Sequence, residues 1–549
     1  MELVIKLSTT YQTYYILNDS GLNIEKTHEF YTHYNLFLIF KELYPDYFEE
    51  NTGPGRPRTY TASIMLPFIT WGHINGIFSC RKLEYWWGLN DDTCNFILDC
   101  KKPPKSSINE FSNKYDYLID EFDIFLVDFG LKTGLMGGEI VYHDGTFLKG
   151  YCNYFKRLYA NQLYYLRDFI LEHKNETNSD GLWFKLKEYF DKNKFEEEIE
   201  PILYDLKKII RASGIHLLKK AVENKKSLKK VLLKIKHMEE NVNGNNPIST
   251  VDPEAHNMKD KNGIYGFNYN YQVSIDDKCG MVVAHYTTTH GNDKKELLTT
   301  VNLLNERLHT DEYVIVVDHG YWHIKSLHEI YGSPTTIIIP DRVSASRTKE
   351  KIEDNEDITP EEKEKSRFKK HKFYYDWELD CYFCPNGCKL IRRNNITQNG
   401  IEYKVYRTDE CTTCPNHDLC TSENKRTIKD RYDPILDSIK RTYYSEEGQE
   451  IYSGRGSHAE GAFAILFESR NFRGIKTRGT KRANDELTLT TITHNIKKIH
   501  KHMDVNVLKK ILNEIKKEKT KSRNVDMSIF DKWIGNYVIK DGRIIDLKI

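Results

Sequence analysis

The chain has 549 residues, and its 81 lysines and arginines nearly balance 80 aspartates and glutamates, giving a net charge of +1. This balance excludes a uniformly basic nucleic-acid-binding protein but permits local basic patches that contact phosphates. The most apolar stretch is broken by Pro67 and Gly72, so we expect no membrane span. The N-terminus lacks a basic segment followed by an apolar one, which predicts a cytoplasmic protein whose cysteines stay reduced.

The first third of the chain is predicted to be helical after an aromatic-rich N-terminal segment. That segment, residues 1–55, ends in the glycine- and proline-rich sequence NTGPGRP. In residues 56–135, apolar side chains recur at helical spacings along SINEFSNKYDYLIDEFDIFLVDFGL, which predicts a long helix capped by Ser106 or Ser107. A shorter helix upstream carries Arg81 and Lys82.

Two predicted strands end on an aspartate. In GEIVYHDGTFLKGY an apolar run reaches Asp144, and in EYVIVVDHGYWHIKSL a similar run reaches Asp318. Such an aspartate either caps the helix that follows or holds a cation at the carboxyl edge of a sheet. Because two-cation sites draw carboxylates from several elements, two strand-end aspartates favour a metal site.

The segments around these strands predict an α/β fold with a mixed sheet and helices packed on it. Residues 155–245 are expected to form a basic helical insertion that includes lysines from Lys219 to Lys236. Two β-rich runs that flank the turn DDKCG predict a hairpin, and the next helix is expected to begin at Asn292 or Asp293. A helix, a strand in TTIIIP and a charged linker follow Asp318.

A third carboxylate is expected on a helix against the sheet. Glu460 lies in the first turn of SHAEGAFAILF, three residues after Ser457, so a capping box is one interpretation and metal binding the other. Arg455 and Tyr452 precede it, as a phosphate-binding cation and a stacking ring. Glu486, which follows a basic loop, is the rival third acid.

In this order, the motifs HDGTFLKG, VVDHGYWHIKSL, RGSHAEGAF and RGTKRANDELTLTTITHNIKKI resemble those of bacterial insertion-sequence DDE transposases. The resemblance covers about residues 56–505 and implies a ribonuclease-H-like mixed sheet flanked by helices, an N-terminal helical DNA-binding domain and a small cysteine-rich insertion. The chain departs from the family in two ways. The spacing from Arg455 to Glu460 is one residue longer than in some relatives, and Leu466 and Phe467 stand where a basic residue is often found.

The resemblance also implies a chemistry. Asp144, Asp318 and Glu460 would hold two Mg²⁺ ions, or Mn²⁺, for DNA cleavage and strand transfer at the ends of an insertion sequence. Its partners would be the terminal inverted repeats, the target DNA and a second copy of the chain in a synaptic complex. Two other functions stay open: an inactive descendant that only binds DNA, and a metal-dependent nuclease without strand transfer.

Six cysteines fall between Cys381 and Cys420, in the sequences CYFCPNGC and CTTCPNHDLC. Paired C-x-x-C motifs in a cytosolic protein are typical of a zinc site. The alternative is a set of reduced, partly buried thiols. By resemblance to similar transposases, the zinc ligands would be Cys384, Cys411, Cys414 and Cys420.

Basic side chains before the first strand and near the third acid are the predicted DNA contacts. The first group lies on short helices that fit a major groove, and the loop from Arg473 to Arg482 contains Gly474 and Gly479, which permit close backbone approach. The basic insertion is equally explained by a solvated helix face. The predicted DNA-binding residues are Arg81, Lys82, Lys101, Lys102, Lys105, Arg455, Arg478, Lys481 and Arg482.

These assignments divide the chain into an N-terminal segment and five further parts. The predicted parts are a helical DNA-binding domain (56–135), the first part of the catalytic core (136–343), a linker with the cysteine-rich insertion (344–445), the last part of the core (446–505) and a basic tail (506–549).

Overall fold

The computed structural model describes residues 14–17, 23–26, 28–49, 59–87, 92–98, 101–154, 157–172, 225–260, 263–346, 367–468, 472, 474–522 and 525–548. The predicted break NTGPGRP, Arg473 and residues 173–224 of the basic insertion lie outside this range. Strands and helices are mixed along the described chain, which confirms the predicted α/β class. Within the described part, no helix is long and apolar enough to cross a membrane.

The strands are named in chain order. They are β1 (Tyr14–Leu17), β2 (Asn23–Lys26), β3 (Ile140–Lys149), β4 (Arg157–Leu158), β5 (Ile248–Ser249), β6 (His256–Lys259), β7 (Tyr265–Asp276), β8 (Val282–Thr288), β9 (Val314–Val316), β10 (Thr336–Ile338), β11 (Tyr374–Asp376), β12 (Cys381–Phe383), β13 (Lys389–Arg392), β14 (Ile396–Gln398), β15 (Ile401–Arg407), β16 (Ile428–Arg431), β17 (Tyr537–Lys540) and β18 (Arg543–Leu547).

The α-helices are named in the same way. They are α1 (His28–Leu43), α2 (Ala62–Ile74), α3 (Cys80–Trp87), α4 (Asp92–Leu98), α5 (Lys105–Lys114), α6 (Asp116–Lys132), α7 (Ala160–Glu172), α8 (Lys225–Glu240), α9 (Glu296–Leu308), α10 (Ile324–Ile330), α11 (His417–Cys420), α12 (Pro434–Tyr444), α13 (Glu446–Ser453), α14 (Gly461–Phe463), α15 (Thr480–His502) and α16 (Val505–Lys521). Two π-helical turns, Gly456–Glu460 and Ala464–Glu468, flank α14.

The chain divides into two compact units. The first unit contains residues 1–137, 145–292 and 461–549, and the second contains residues 138–144 and 293–460. Strand β3 contributes to both, because the division falls at Gly145. Each unit buries its own apolar core.

In the first unit, a β-hairpin packs with buried helices. Strands β7 and β8 pair antiparallel from Asn270↔Thr288 to Ile275↔Val282, which confirms the predicted hairpin. Helix α15 is buried along most of its length, and Asn495 fixes it to β8 because its side chain accepts from the Val282 amide and donates to the Val282 carbonyl.

The predicted long helix of the first unit is two helices. Helices α5 and α6 separate at Tyr115, whose backbone leaves the helical region with φ −120° and ψ 27°. The Tyr115 ring stacks on Phe111 of the preceding turn at 5.0 Å. Pro104, rather than Ser106 or Ser107, occupies the N-cap position of α5.

The second unit is built on short parallel strands. Val314–Val316 of β9 pairs with Ile140–Tyr142 of β3 and with Thr336–Ile338 of β10. Helix α9 begins at Glu296, later than predicted, because Asp293 accepts from the Glu296 amide in a turn that precedes the helix. Strands β11 to β16 form a separate antiparallel sheet in the cysteine-rich region.

Candidate active site

The strand register places Asp144 beside Asp318. The last paired residues of β3 and β9 are Tyr142 and Val316, and each aspartate follows two residues later. Side chains two residues apart point to the same face of a sheet. Asp144 therefore shares a face with Tyr142, and Asp318 shares a face with Val316. Tyr142 and Val316 belong to the core cluster of the second unit, together with Ile338, Tyr443 and Ala459. Both acids therefore lie on the face that the segment around Ala459 covers.

Asp318 caps a short helix, and its role as a metal ligand stays a prediction. Its Oδ1 atom caps the short helix His319–Tyr321 by accepting from the Gly320 amide at 2.8 Å. Its Oδ2 atom lies 3.9 Å from the guanidinium of Arg455. A carboxylate has two oxygens, so capping with one leaves the other available for a cation.

Close packing against Tyr142 positions the segment that carries Arg455. The Tyr142 hydroxyl donates to the Ile451 carbonyl at 3.0 Å, and its ring stacks on His458 at 4.5 Å. A Cβ atom on Gly454 would stand 2.5 Å from the Tyr142 hydroxyl oxygen, so a side chain at this position would push the segment away from the strand. Gly454 thus allows the next residue, Arg455, to lie close to Asp144 and Asp318.

The π-helical turn Gly456–Glu460 accounts for the unusual spacing of Arg455 and Glu460. A π turn closes hydrogen bonds between residues five apart, one more than an α-helix, and such turns are frequent at functional sites. The five-residue step therefore still brings Arg455 Nη1 to 3.6 Å from Glu460 Oε1. The capping box is wrong, because Ser457 donates to the Gly454 carbonyl while Ser445 caps the preceding helix.

Arg455 joins the three predicted acids. Besides its contact with Glu460, its Nη2 atom lies 3.0 Å from Asp144 Oδ2 and 3.9 Å from Asp318 Oδ2. Burial disfavours the charged guanidinium, but the carboxylates outweigh that cost, so the pKa of Arg455 lies above its ordinary value. Its buried Nε atom has no hydrogen-bond acceptor among the described residues.

The three acids differ in their access to solvent. The side chain of Asp144 is 9% exposed, that of Asp318 is 41% exposed and that of Glu460 is 64% exposed. The site is therefore closed to solvent on the side of β3 and open on the side of the π-helical turn that carries Glu460. Solvent therefore reaches the three acids from the Glu460 side.

The chemistry of this donor set suits a hard divalent cation. Mg²⁺ and Mn²⁺ prefer carboxylate oxygens, and three carboxylates from separate segments converge on one positive group. In the described part of the chain, however, no group of three or more His, Cys, Asp or Glu side chains is placed to hold a metal ion. Arg455 instead offsets part of the negative charge of the three acids.

Glu486, the rival third acid, anchors a loop. Its carboxylate accepts from the Lys476 amide at 2.9 Å and from the Thr477 amide and hydroxyl at 3.1 and 3.0 Å. Burial raises the pKa of Glu486 to about 7, although these hydrogen bonds oppose the shift. Sequence reasoning missed this role, because the partners lie in the irregular loop before α15.

Replacing Glu486 with alanine should destabilise the protein. The substitution removes the acceptor of three donors, each of which costs about 1–3 kcal/mol when buried and unpaired. We expect chemical denaturation to show a loss of about 2–4 kcal/mol in the free energy of unfolding. The neighbouring Asp485→Ala is the control, because burial and the charges of Asp120 and Asp116 already raise the pKa of Asp485 to about 6. An equal loss in both variants would contradict the anchoring role.

The predicted DNA-binding residues of α3 and the start of α5 occupy exposed positions, whereas Arg455 is largely buried. Arg81 and Lys82 lie on α3, Lys101 and Lys102 precede α5, and Lys105 begins it. Burial raises the pKa of Cys80, and the charges of Lys105 and Arg482 both act to lower it. The basic residues near α5 and those of the loop before α15 therefore lie near one another in the first unit. Their contact with DNA stays a prediction.

The loop before α15 holds its basic side chains differently. Arg478 lies over the ring of Tyr151 at 5.3 Å, whereas Lys481 forms an ion pair with Asp116. Gly474 has φ +108°, and a Cβ atom there would stand 2.7 Å from the Lys149 carbonyl oxygen. Gly474 thus lets the loop pack closely against β3, and the predicted approach of this loop to DNA stays a prediction.

The cysteine-rich sheet does not support the zinc prediction. Cys384, Cys411, Cys414 and Cys420 line one cavity of about 20 Å³, together with Cys388 and His417. Zinc needs each sulfur at about 2.3 Å from a common point. Among the described residues, no group of three or more His, Cys, Asp or Glu side chains is placed to hold a metal ion. The cysteines are free thiols, and Cys384 and Cys420 pack on the core formed around Phe373 and Tyr406.

Residues 383–500 match the family model described as a transposase DDE domain. This range comprises 118 of the 549 residues, and it is similar to that family. The match confirms the resemblance to DDE transposases. No curated protein matches the chain, and no solved structure matches it.

The transposase DDE domain match includes Arg455 and Glu460 as well as most of the cysteine-rich sheet. Asp144 and Asp318 precede it, and the contacts of Arg455 join them to the matched segment. The family indicates an enzyme that acts on DNA and uses divalent metal ions. Leu466 and Phe467, which stand where a basic residue is often found, are buried in the core of the first unit.

Proposed function

We propose that the chain is a DNA transposase that cleaves DNA and joins strands at the ends of an insertion sequence, using Asp144, Asp318 and Glu460. One observation carries the proposal: three acids from separate segments contact the same guanidinium in a chain with a transposase DDE domain match. The three carboxylates would hold two Mg²⁺ or Mn²⁺ ions. When bound, such ions activate an attacking water or 3′-hydroxyl and stabilise the leaving oxygen of a phosphodiester.

The protein groups have distinct tasks in this proposal. Asp144, enclosed by the sheet, is a fixed ligand, and Asp318 is oriented by its hydrogen bond from Gly320. Glu460, at the open side, completes the site when the substrate approaches. Arg455 moves from the carboxylates to a phosphate oxygen of the substrate, and its buried Nε is a further donor for that contact.

A ribonuclease-H-like core is part of the same proposal. Strands β9 and β10 are parallel to each other, β9 pairs in parallel with Ile140–Tyr142 of β3, and β7 and β8 form an antiparallel hairpin. These are the parallel and antiparallel components of the proposed mixed sheet. The helices α2 to α6 would form the N-terminal DNA-binding domain, with terminal inverted repeats and target DNA as partners. The working form would be a homodimer in the bacterial cytoplasm, associated with the nucleoid.

Strand transfer separates a transposase from a nuclease. Purified protein is incubated with Mg²⁺, a pre-cleaved duplex bearing the element's terminal repeat, and a supercoiled target plasmid. We expect joined products that carry the labelled 3′ end of the donor. Cleavage of an uncut donor without any joining would contradict the transposase proposal in favour of a nuclease. Binding without cleavage would identify an inactive descendant.

A further inference from the structure

Basic side chains from two elements of the first unit surround an open cavity near the C-terminus. Lys498, Lys501 and His502 lie in the last two turns of α15, and Lys540 and Arg543 lie on the β17–β18 hairpin. Lys501, His502, Lys540 and Arg543 line a cavity of about 370 Å³, in which Asp541 is the acidic lining residue. We call Lys498, Lys501, His502, Lys540 and Arg543 the C-terminal basic surface.

Among the residues that the structure describes, no carboxylate lies within ion-pair distance of Lys498, Lys501 or Lys540. Arg543 donates to the carbonyls of His500 and Met503, which are uncharged acceptors.

The next helix shows the opposite arrangement. Each of three lysines of α16 has an acidic partner: Lys510 lies 2.7 Å from Asp546, Lys517 lies 3.5 Å from Glu514, and Lys521 lies 3.0 Å from Glu518. These three lysines of α16 are therefore paired with carboxylates, whereas Lys498, Lys501 and Lys540 are not paired with any described carboxylate.

The uncompensated charges interact with one another. Burial lowers the pKa of Lys498, and the charge of Lys501 lowers it further. Burial and the charges of Lys501, Lys498 and Arg543 likewise lower the pKa of His502. Gathering like charges at one place destabilises the isolated fold, and a bound polyanion removes that cost.

We propose that the C-terminal basic surface binds the phosphodiester backbone of duplex DNA. The proposal rests on the proposed function, which makes DNA the substrate. A duplex presents closely spaced phosphates that several lysines can contact together. Lysine ammonium groups contact phosphates as point charges and read no base edges. The surface therefore adds affinity and orientation for DNA of any sequence.

The test compares two variants with the same change in net charge. Lys498→Gln, Lys501→Gln and Lys540→Gln are combined in the first variant, and Lys510→Gln, Lys517→Gln and Lys521→Gln in the control. Binding to labelled duplex DNA is measured by fluorescence anisotropy over a series of salt concentrations. Each phosphate contact contributes about 0.9 to the slope of log K against log salt, so the first variant should lose roughly 2 to 3 from that slope. The control should keep the slope of the parent.

The outcomes distinguish this surface from the proposed function. The first variant should lose affinity equally for terminal-repeat DNA and for unrelated duplexes. Equal slopes in the two variants would overturn the proposal, as would a preference of the surface for duplex RNA over DNA. Circular dichroism confirms that both variants are folded. Metal-dependent cleavage that survives Glu460→Gln would overturn the proposed catalytic site and leave this surface standing.

Discussion

Replacing Glu460 with glutamine should abolish metal-dependent DNA cleavage while DNA binding and folding persist. Glutamine keeps the shape of the side chain but removes the negative charge that the proposed metal site needs. Metal-ion stabilisation of developing charge is worth several kcal/mol, and about 4 kcal/mol corresponds to roughly a 10³-fold loss of rate. Asp318→Asn should have an effect of the same order. Single-turnover cleavage of a labelled duplex measures the loss.

Two further glutamate-to-glutamine variants test whether the loss of cleavage is specific to position 460. Glu450 is an exposed glutamate of the preceding helix, so Glu450→Gln should cleave at the parental rate. Glu486→Gln should retain substantial cleavage, because Glu486 anchors the loop before α15 through Lys476 and Thr477. Activity that survives Glu460→Gln and disappears in Glu486→Gln would move the third acid to Glu486.

Replacing Arg455 with glutamine should strengthen metal binding in the absence of DNA and weaken cleavage. The Arg455 guanidinium pairs with all three acids, so it competes with a divalent cation for the same oxygens. Without it, we expect the affinity for Mn²⁺, measured by electron paramagnetic resonance, to rise on the order of tenfold, or about 1.4 kcal/mol. Cleavage should fall because the substrate phosphate loses a charged donor.

The same residue should couple metal binding to DNA binding. In the parent protein, a phosphate that takes Arg455 frees the carboxylates, so DNA should raise the affinity for Mn²⁺, and Mn²⁺ should raise the affinity for DNA by the same factor. Arg455→Gln should lack this coupling. Arg441→Gln is the matched control, since Arg441 lies over the ring of Trp377 at 5.6 Å. Unchanged Mn²⁺ affinity in Arg455→Gln would contradict the competition.

Local sequence patterns predicted the features that depend on the pattern of apolar residues within a single strand or hairpin. Apolar runs marked β3 and β9, and Asp318 follows the end of β9 as predicted. The predicted strand end at Asp144 is wrong, because β3 continues to Lys149. The capping interpretation of Asp318 is confirmed, and its second oxygen faces Arg455, so metal binding by this residue stays a prediction. The hairpin followed from two β-rich runs around a turn.

The remaining features depend on contacts between distant residues or on an irregular backbone. A π turn leaves no periodic signature, so the relation between Arg455 and Glu460 is visible only in three dimensions. The approach of Gly454 to Tyr142 joins residues over 300 positions apart. The anchoring of a loop by Glu486 depends on backbone amides, which every residue except proline provides. The cysteine spacing suggested a ligand set, and the arrangement of the thiols does not support it.

Magnesium-dependent cleavage by Asp144→Asn, compared with Asp341→Asn, tests the proposed catalytic site most directly. Both aspartates are buried in the second unit, but Asp144 lies within β3 and contacts Arg455, whereas Asp341 follows β10 and accepts from the Ser344 amide and the Tyr444 hydroxyl. With a duplex that carries the element's terminal repeat, we predict that Asp144→Asn binds DNA without cutting it and that Asp341→Asn cuts it at about the parental rate. Cleavage by Asp144→Asn at the parental rate would contradict the proposed catalytic site.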